Sequence, residues 1–203
     1  MSQMNLFNKN IYSDKKIIQD GEFIHIPQFI DLPQCDRYFD QLKENIYWQQ
    51  EEMKIYGKIL PFPRLTAWYG DSQKTYSFSG LTLQPNRWTS ELQEIKEKVE
   101  STVDARFNSV LLNRYRDGND SISWHQDDEK DLGNNPIIAS VNFGATREFQ
   151  LRHKQTREKL SIKLSHGSLL VLMGKLNHHW QHQVPKTKKT VGERINLTFR
   201  YIK

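Results

Sequence analysis

The chain has 203 residues, 36% of them apolar and 11% aromatic, which suits one domain built around a single sizeable core. A mean hydropathy of -0.76 and a longest apolar run of only Leu169 to Met173 exclude a membrane helix, which needs about 20 apolar residues. One cysteine, Cys35, excludes a disulfide framework and a multi-cysteine metal site, and the polar start from Met1 to Lys16 does not read as a secretory leader, so an intracellular protein is expected. The net charge of +5 is unevenly spread. Residues 145–203 hold 13 Lys/Arg against 3 Asp/Glu, whereas residues 1–144 hold 16 against 21. That polarity fits either a surface facing a polyanion or a solvated basic face.

In chain order, the first 20 residues lack apolar periodicity and are expected to be a flexible segment. Asp31 followed by Pro33 reads as a helix start, with Leu32, Cys35, Phe39 and Leu42 on one buried face and an end near Asn45. The aromatic, turn-rich stretch from Tyr47 to Pro85 predicts loops or hairpins over one end of the fold. A second helix begins near Ser90, where Ser90 and Gln93 fit a capping box, and Leu92, Ile95, Val99 and Val103 share a face. From Ser109 the pattern changes to short strands: Ser109–Tyr115, Ile122–Asp127, Ile137–Phe143, Glu148–His153, Leu160–Leu164, Ser168–Met173, His179–Val184 and Ile195–Ile202. Turns such as Asp117-Gly118 and His166-Gly167 separate them. The expected fold class is α+β, mainly β: a double-stranded β-helix, or jelly roll, with the N-terminal helices packed on one sheet. Residues 21–203 then form one domain, with a helical and loop layer over 21–108 and the jelly-roll core over 109–203.

Chemistry concentrates in the second half. On a strand, His125 and Asp127 point to the same face, so an imidazole and a carboxylate converge. With a distant histidine they would complete the two-histidine, one-carboxylate triad of non-haem Fe(II) oxygenases. Three histidines are available, His178, His179 and His182, and spacing alone does not choose among them. Farther on, alternation from Arg194 to Arg200 puts Arg194, Asn196, Thr198 and Arg200 on one face and Ile195, Leu197 and Phe199 on the other. Two arginines within a core strand are costly unless they meet anions, and a dicarboxylate would satisfy both.

Taken together, Asn113-Arg114-Tyr115-Arg116-Asp117-Gly118, His125-x-Asp127, His182, Arg194-x-Asn196-x-Thr198 and Arg200 resemble the AlkB family of Fe(II)/2-oxoglutarate-dependent nucleic-acid dealkylation dioxygenases. The resemblance runs from about Tyr56 to Tyr201 and is closest to the duplex-DNA repair branch. Tyr76-Ser77-Phe78-Ser79-Gly80-Leu81-Thr82, Phe149-x-Leu151-Arg152-His153-Lys154 and His166-Gly167-Ser168 add to it. It implies that His125, Asp127 and His182 hold Fe(II), with the third histidine taken as the one shortly before the Val-Pro step. It also implies that Arg194 pairs with the distal carboxylate of 2-oxoglutarate, while Arg200, Asn113 and Tyr115 hold its keto-acid end and Asn196 assists.

The implied reaction is oxidative demethylation of N-alkylated bases such as 1-methyladenine or 3-methylcytosine. O2 and 2-oxoglutarate are consumed, and succinate, CO2 and formaldehyde are released. The base must leave its stack to reach a buried metal. By resemblance, Tyr76, Phe78 and Ser79 form the lesion pocket, Asp128 and Glu129 read a cationic base, and Tyr56 is the finger that fills the vacated stack. Arg152, Lys154, Lys186, Lys188 and Lys189 are the expected phosphate contacts. The expected partner is single- or double-stranded DNA with alkylated bases, with RNA as the alternative substrate and a non-nucleic substrate as a further one. No membrane and no obligate protein partner are expected, and the chain should be a monomer. It would act in the cytoplasm of a bacterium or the nucleus of a eukaryote.

Overall fold

The computed structural model describes residues 15–55, 57–71, 76–78, 81–127 and 129–203. Two antiparallel sheets face each other across the site. The larger contains, in spatial order, β1 (Lys16–Ile18), β2 (Gly21–Ile26), β13 (Ser168–Met173), β10 (Ile138–Gly144), β15 (Arg194–Arg200), β8 (Ser109–Tyr115) and β5 (Leu65–Gly70). The smaller runs β12 (Lys159–Leu164), β11 (Arg147–His153), β14 (Trp180–Val184) and β9 (Ile122–His125). The hairpins β3 (Glu52–Ile55) with β4 (Lys58–Pro61), and β6 (Tyr76–Phe78) with β7 (Leu81–Leu83), stand apart from both sheets. This is the expected jelly roll.

Strand alternation divides the core into two layers. One face of the large sheet presents Val110, Leu112, Ala139, Val141, Leu169, Val171, Ile195, Leu197 and Phe199 to the helices α1 (Leu32–Asn45) and α2 (Ser90–Val103). The opposite face meets the small sheet through Tyr115, Ile138, Leu170 and Leu172 against Phe149, Leu151 and Trp180. A run apolar on both sides is what a central strand of such a sandwich requires, and β13, Ser-Leu-Leu-Val-Leu-Met, is buried throughout.

Both helices start at capping residues. Asp31 accepts from the Gln34 backbone N–H at 3.0 Å, with Pro33 in the first turn. For α2 the cap is Thr89, whose hydroxyl accepts from the Leu92 N–H, so the expected box from Ser90 starts one residue too late. Leu92, Ile95, Val99 and Val103 are buried as expected. In α1 the buried face is Cys35, Tyr38 and Leu42; Leu32 is exposed, because the first helical position points away from the sheet. The loop before β13 closes tightly on α1: Gly167 has φ +74, and a Cβ there would lie 2.7 Å from the Ile30 carbonyl.

Three local expectations need correction. Residues 16–18, inside the segment expected to be flexible, pair with β2 at the sheet edge. β5 lies within the stretch expected to be loops, yet it joins the large sheet beside β8. The chain just before β14 is not extended: α3 (Leu176–His179) carries His178 and His179, so a strand alternation rule does not apply to them.

Candidate active site

The two sheets place their chemical groups by register. His125 on β9 and His182 on β14 are direct cross-strand partners, so their rings meet with centroids 4.2 Å apart. Asp127 follows two residues after β9 and turns back to the same point. Its Oδ2 lies 4.0 Å from His182 Nε2. The ligand atoms of His125, Asp127 and His182 all fall within 4.8 Å of one another. The other two histidines are elsewhere. His178 Nε2 accepts from the Asn135 backbone N–H, and His179 faces Asp20. Geometry therefore selects His182, which spacing alone could not.

The tautomers and charges suit metal ligation. His125 Nδ1 is 2.8 Å from the Ser123 carbonyl oxygen, an acceptor, so this nitrogen carries the proton and Nε2 is left with its lone pair. The Phe149 ring stacks on His182 at 5.1 Å and fixes its plane. Burial, reinforced by His125, pushes the His182 imidazole down to about 3, which keeps it neutral. Burial alone would raise the Asp127 carboxyl. The Arg200 guanidinium, through its charge and its hydrogen bond, leads the effects that outweigh burial and hold that carboxyl well below the usual carboxylate range. Arg200 Nη2 donates to Asp127 Oδ1 at 2.8 Å.

Opposite this triad, β15 and its neighbours form a polar ladder. Asn196 pairs in register with Asn113 on one side and Asn142 on the other, and Arg194 with Tyr115 and Gly144. Arg194, 1% exposed, lies over the Tyr115 ring with 4.9 Å to its centroid and donates through Nη2 to Asn142 Oδ1 at 2.6 Å. Its Nε and Nη1 are buried without a hydrogen-bond partner. Burial pushes this guanidinium below its ordinary value. Asn196 is engaged at both amide atoms, donating to Ser140 and accepting from Thr198, and so braces the ladder. Asn113 accepts from Arg64 Nε at 2.7 Å. One cavity is lined by the triad together with Asn113, Tyr115, Arg194, Asn196 and Arg200.

The residues present fit the cofactors of such a pocket. Two imidazoles and a carboxylate with an open side are the donor set that non-haem Fe(II) takes. A buried guanidinium with two orphaned nitrogens fits a carboxylate of 2-oxoglutarate.

Sequence reasoning missed Arg64, which is 4% exposed and precedes β5. The available signal was a cation set between Phe62 and the apolar run of β5. Arg64 and Leu111 also line a neighbouring cleft bounded by Tyr47, Phe62, Trp68, Gln84 and Asn86. Glu129 keeps one buried carboxylate oxygen without a hydrogen-bond partner. Tyr56, Ser79 and Asp128 lie outside the described residues, and Tyr76 and Phe78 are described only by the backbone of β6. Arg152 is half-buried on β11, Lys154 is exposed just beyond it, and Lys186, Lys188 and Lys189 are exposed in the loop between β14 and β15. None of these five lines the cavity.

A family model described as the 2OG-Fe(II) oxygenase superfamily matches residues 22–200. The chain is 41% identical over 180 residues to DNA oxidative demethylase ALKBH2 of Homo sapiens, covering 83% of this chain and 69% of that protein. It is equally similar to ALKBH2 of Bos taurus, at 41% over 180 residues, 83% of this chain and 65% of that one. Alpha-ketoglutarate-dependent dioxygenase alkB homolog 3 of Mus musculus is 41% identical over 186 residues, 87% of this chain and 64% of its own length. The chain thus spans slightly under two thirds of the bovine and mouse proteins. Among solved structures, that of OsALKBH1 superposes with a TM-score of 0.63 at 16% identity, over 91% of this chain and 100% of that one, a likeness of fold. The family match implies Fe(II), 2-oxoglutarate and O2 as cofactors, in keeping with the donor set and the orphaned guanidinium. By its matched length and its identity to these relatives, the chain belongs to the AlkB family within the 2OG-Fe(II) oxygenase superfamily.

Proposed function

We propose that this protein is an Fe(II)- and 2-oxoglutarate-dependent dioxygenase that removes N-methyl groups from nucleic-acid bases, with DNA as its substrate. The observation that carries the reading is one cavity holding both a buried His125–Asp127–His182 triad and the uncompensated Arg194 guanidinium. Bound Fe(II), with O2 and 2-oxoglutarate, supplies the oxidising chemistry. His125, Asp127 and His182 would hold the metal, the first with its Nδ1 proton fixed on the Ser123 carbonyl. Arg194 would bind the far carboxylate of the cosubstrate, and Asn113, Tyr115 and Arg200 its metal-side end.

Two features support a base as the group presented to this pocket. The neighbouring cleft joins aromatic walls, Tyr47, Phe62 and Trp68, to the amides of Gln84 and Asn86, a combination that can stack a ring and read its edge. Glu129 follows the metal-ligand candidate Asp127 by two residues in the chain, and by family resemblance its carboxylate would suit a cationic base, such as 1-methyladenine or 3-methylcytosine. The relatives named DNA oxidative demethylase favour DNA over RNA. The test is formaldehyde release from oligonucleotides bearing either lesion, with Fe(II), with and without 2-oxoglutarate, on single-stranded DNA, duplex DNA and RNA. Cosubstrate-dependent release that is greatest on DNA is expected. Release on RNA alone would transfer the reading to an RNA demethylase, and none on any would discard a methylated nucleic acid as the substrate.

A further inference from the structure

β11 braces the pocket at two points. Its inner face presents Arg147, Phe149 and Leu151, all buried. Phe149 stacks on His182 at 5.1 Å. Two residues earlier, the Arg147 guanidinium lies over the Tyr115 ring, 5.7 Å from its centroid, and the same ring carries Arg194 at 4.9 Å. Tyr115 and Arg194 line the cavity, whereas Arg147 does not. Arg147 donates instead to three carbonyls, those of Asp117 at 3.0 Å, Asp120 at 2.9 Å and Pro185 at 2.7 Å. The Asp120 carboxylate is already engaged by Arg116. Asp117 and Asp120 belong to the turn that leaves Tyr115 at the end of β8, and Pro185 to the loop that leads into Arg194 at the start of β15. One guanidinium thus clasps the chain on both sides of the cosubstrate end. The two loops also touch directly. The Thr187 N–H donates to the Gly118 carbonyl at 2.8 Å, and a Cβ on Gly118 would lie 2.5 Å from the Thr187 carbonyl oxygen, so this approach requires glycine.

We propose that Arg147 is a positioning residue for the cosubstrate: it holds Tyr115 and the two clasped loops so that Arg194 stays in the pose that takes the far carboxylate of 2-oxoglutarate, and it thereby sets the preference for a dicarboxylate. The inference rests on the assignment of Arg194 above and adds what keeps that arginine in place. Arg194 is anchored through Nη2 to Asn142, while its Nε and Nη1 have no partner. A long side chain held by so few bonds keeps one rotamer only through the surface it packs on. That surface is the Tyr115 ring, and Arg147 bears on the same ring. Charge acts in the same direction. Arg147 meets carbonyl dipoles rather than a carboxylate, so its charge adds to the positive potential at this end of the pocket. Burial pushes the Arg194 guanidinium below its ordinary value, and the charge of Arg147 pushes the same way. An incoming carboxylate therefore relieves a repulsion as well as supplying acceptors for orphaned donors.

The experiment is calorimetric titration of the Fe(II)-loaded protein, without O2, with 2-oxoglutarate and with 2-oxobutanoate, which shares the keto-acid end and lacks the far carboxylate. The wild type should bind 2-oxoglutarate on the order of 100-fold more tightly, and Arg194→Met should erase that preference. Arg147→Met should weaken 2-oxoglutarate about tenfold and leave 2-oxobutanoate within about twofold, a selectivity that general loosening of the fold would not produce. Arg147→Lys keeps the charge but cannot span three carbonyls, and should fall between Arg147→Met and the wild type. Gly118→Ala parts the two loops without altering a pocket side chain, and should show the same selective loss at about threefold. It carries the test should Arg147→Met fail to fold. In turnover the KM for 2-oxoglutarate should rise while kcat at saturation is kept. Equal losses on both ligands, or no loss on either, in Arg147→Met and Gly118→Ala would overturn the positioning role and leave the Arg194 assignment standing. A preference for 2-oxoglutarate that survives in Arg194→Met would overturn that assignment and this inference with it.

Discussion

β15 carries a buried arginine at each end, and the two ends are treated in opposite ways. At one end Arg200 donates to Asp127 Oδ1 at 2.8 Å, and cation and carboxylate neutralise each other within the fold. At the other, Arg194 finds the neutral amide of Asn142 and the face of Tyr115, and keeps two nitrogens unpaired. Burying a charge costs several kcal/mol unless a partner offsets it. The charge at the paired end is therefore already compensated within the fold before any ligand arrives, while the unpaired end is a demand for an anion from outside. Arg147 shows a third solution nearby: it is buried too, but donates to the carbonyls of Asp117, Asp120 and Pro185, which ties three loop positions together. A buried arginine that neither a carboxylate nor a set of carbonyls has claimed is the one whose charge depends most on an anion from outside.

The largest effect should come from breaking the paired end. Asp127→Ala removes one metal donor and strands Arg200 in the interior. Turnover should drop below detection, and stability should fall by about 3–5 kcal/mol, the usual cost of orphaning one member of a buried pair. Formaldehyde release and thermal melting check the two halves separately, and Asp127→Asn, which keeps the shape, separates charge from packing. Measurable turnover in Asp127→Ala would remove this carboxylate from the metal site.

Breaking the unpaired end should look different. Arg194→Met takes away a charge that has no counter-ion in the cosubstrate-free protein, so stability should change by less than about 1 kcal/mol or even rise. Affinity for 2-oxoglutarate should fall on the order of 100-fold, as expected for truncating one partner of a buried charged contact. The rise in melting temperature that 2-oxoglutarate gives the wild type should vanish at the same concentration. A normal thermal response to cosubstrate in Arg194→Met would end the assignment.

The contrast between the two arginines was only half legible in the sequence. Alternation from Arg194 to Arg200 put both on one face, and that is where they are. Alternation could not tell which arginine meets Asp127, because that depends on how the chain turns back after β9. His125 and Asp127 were legible as a local pair, whereas the choice of His182 needed the β9–β14 register and the short helix α3, which a polar Leu-Asn-His-His stretch does not announce. The strands from 109 onward were legible because apolar alternation and turn residues agree. β5 was hidden by the prolines and aromatics before it, which read as loop, and Arg64 was hidden with it. The finger and lesion-pocket residues Tyr56 and Ser79 rest on family resemblance alone.

The smallest effect sharpens the comparison from the acidic side. Asp120 is the mirror of Arg194: a buried carboxylate whose partner, Arg116, is half-exposed. Its oxygens accept from the Arg116 backbone N–H at 2.9 Å, from Nε at 2.7 Å and from Nη2 at 2.9 Å. Burial would raise this carboxyl, but those hydrogen bonds, with the charges of Arg116 and Arg147, outweigh it and leave it below its ordinary value. A carboxyl lowered in the folded state stabilises the protein above its unfolded value, and that contribution is lost as pH falls through the folded one. Since Arg116 is solvent-screened, the contribution should be only about 1 kcal/mol at neutral pH. Asp120→Asn should therefore be slightly less stable than the wild type near neutrality, and the difference should shrink on acidification from about pH 5 to about pH 2. Urea midpoints measured across that range test it, and parallel curves for the two proteins would show that the carboxylate charge of Asp120 does not hold the Asp117–Asp120 turn beneath Arg147.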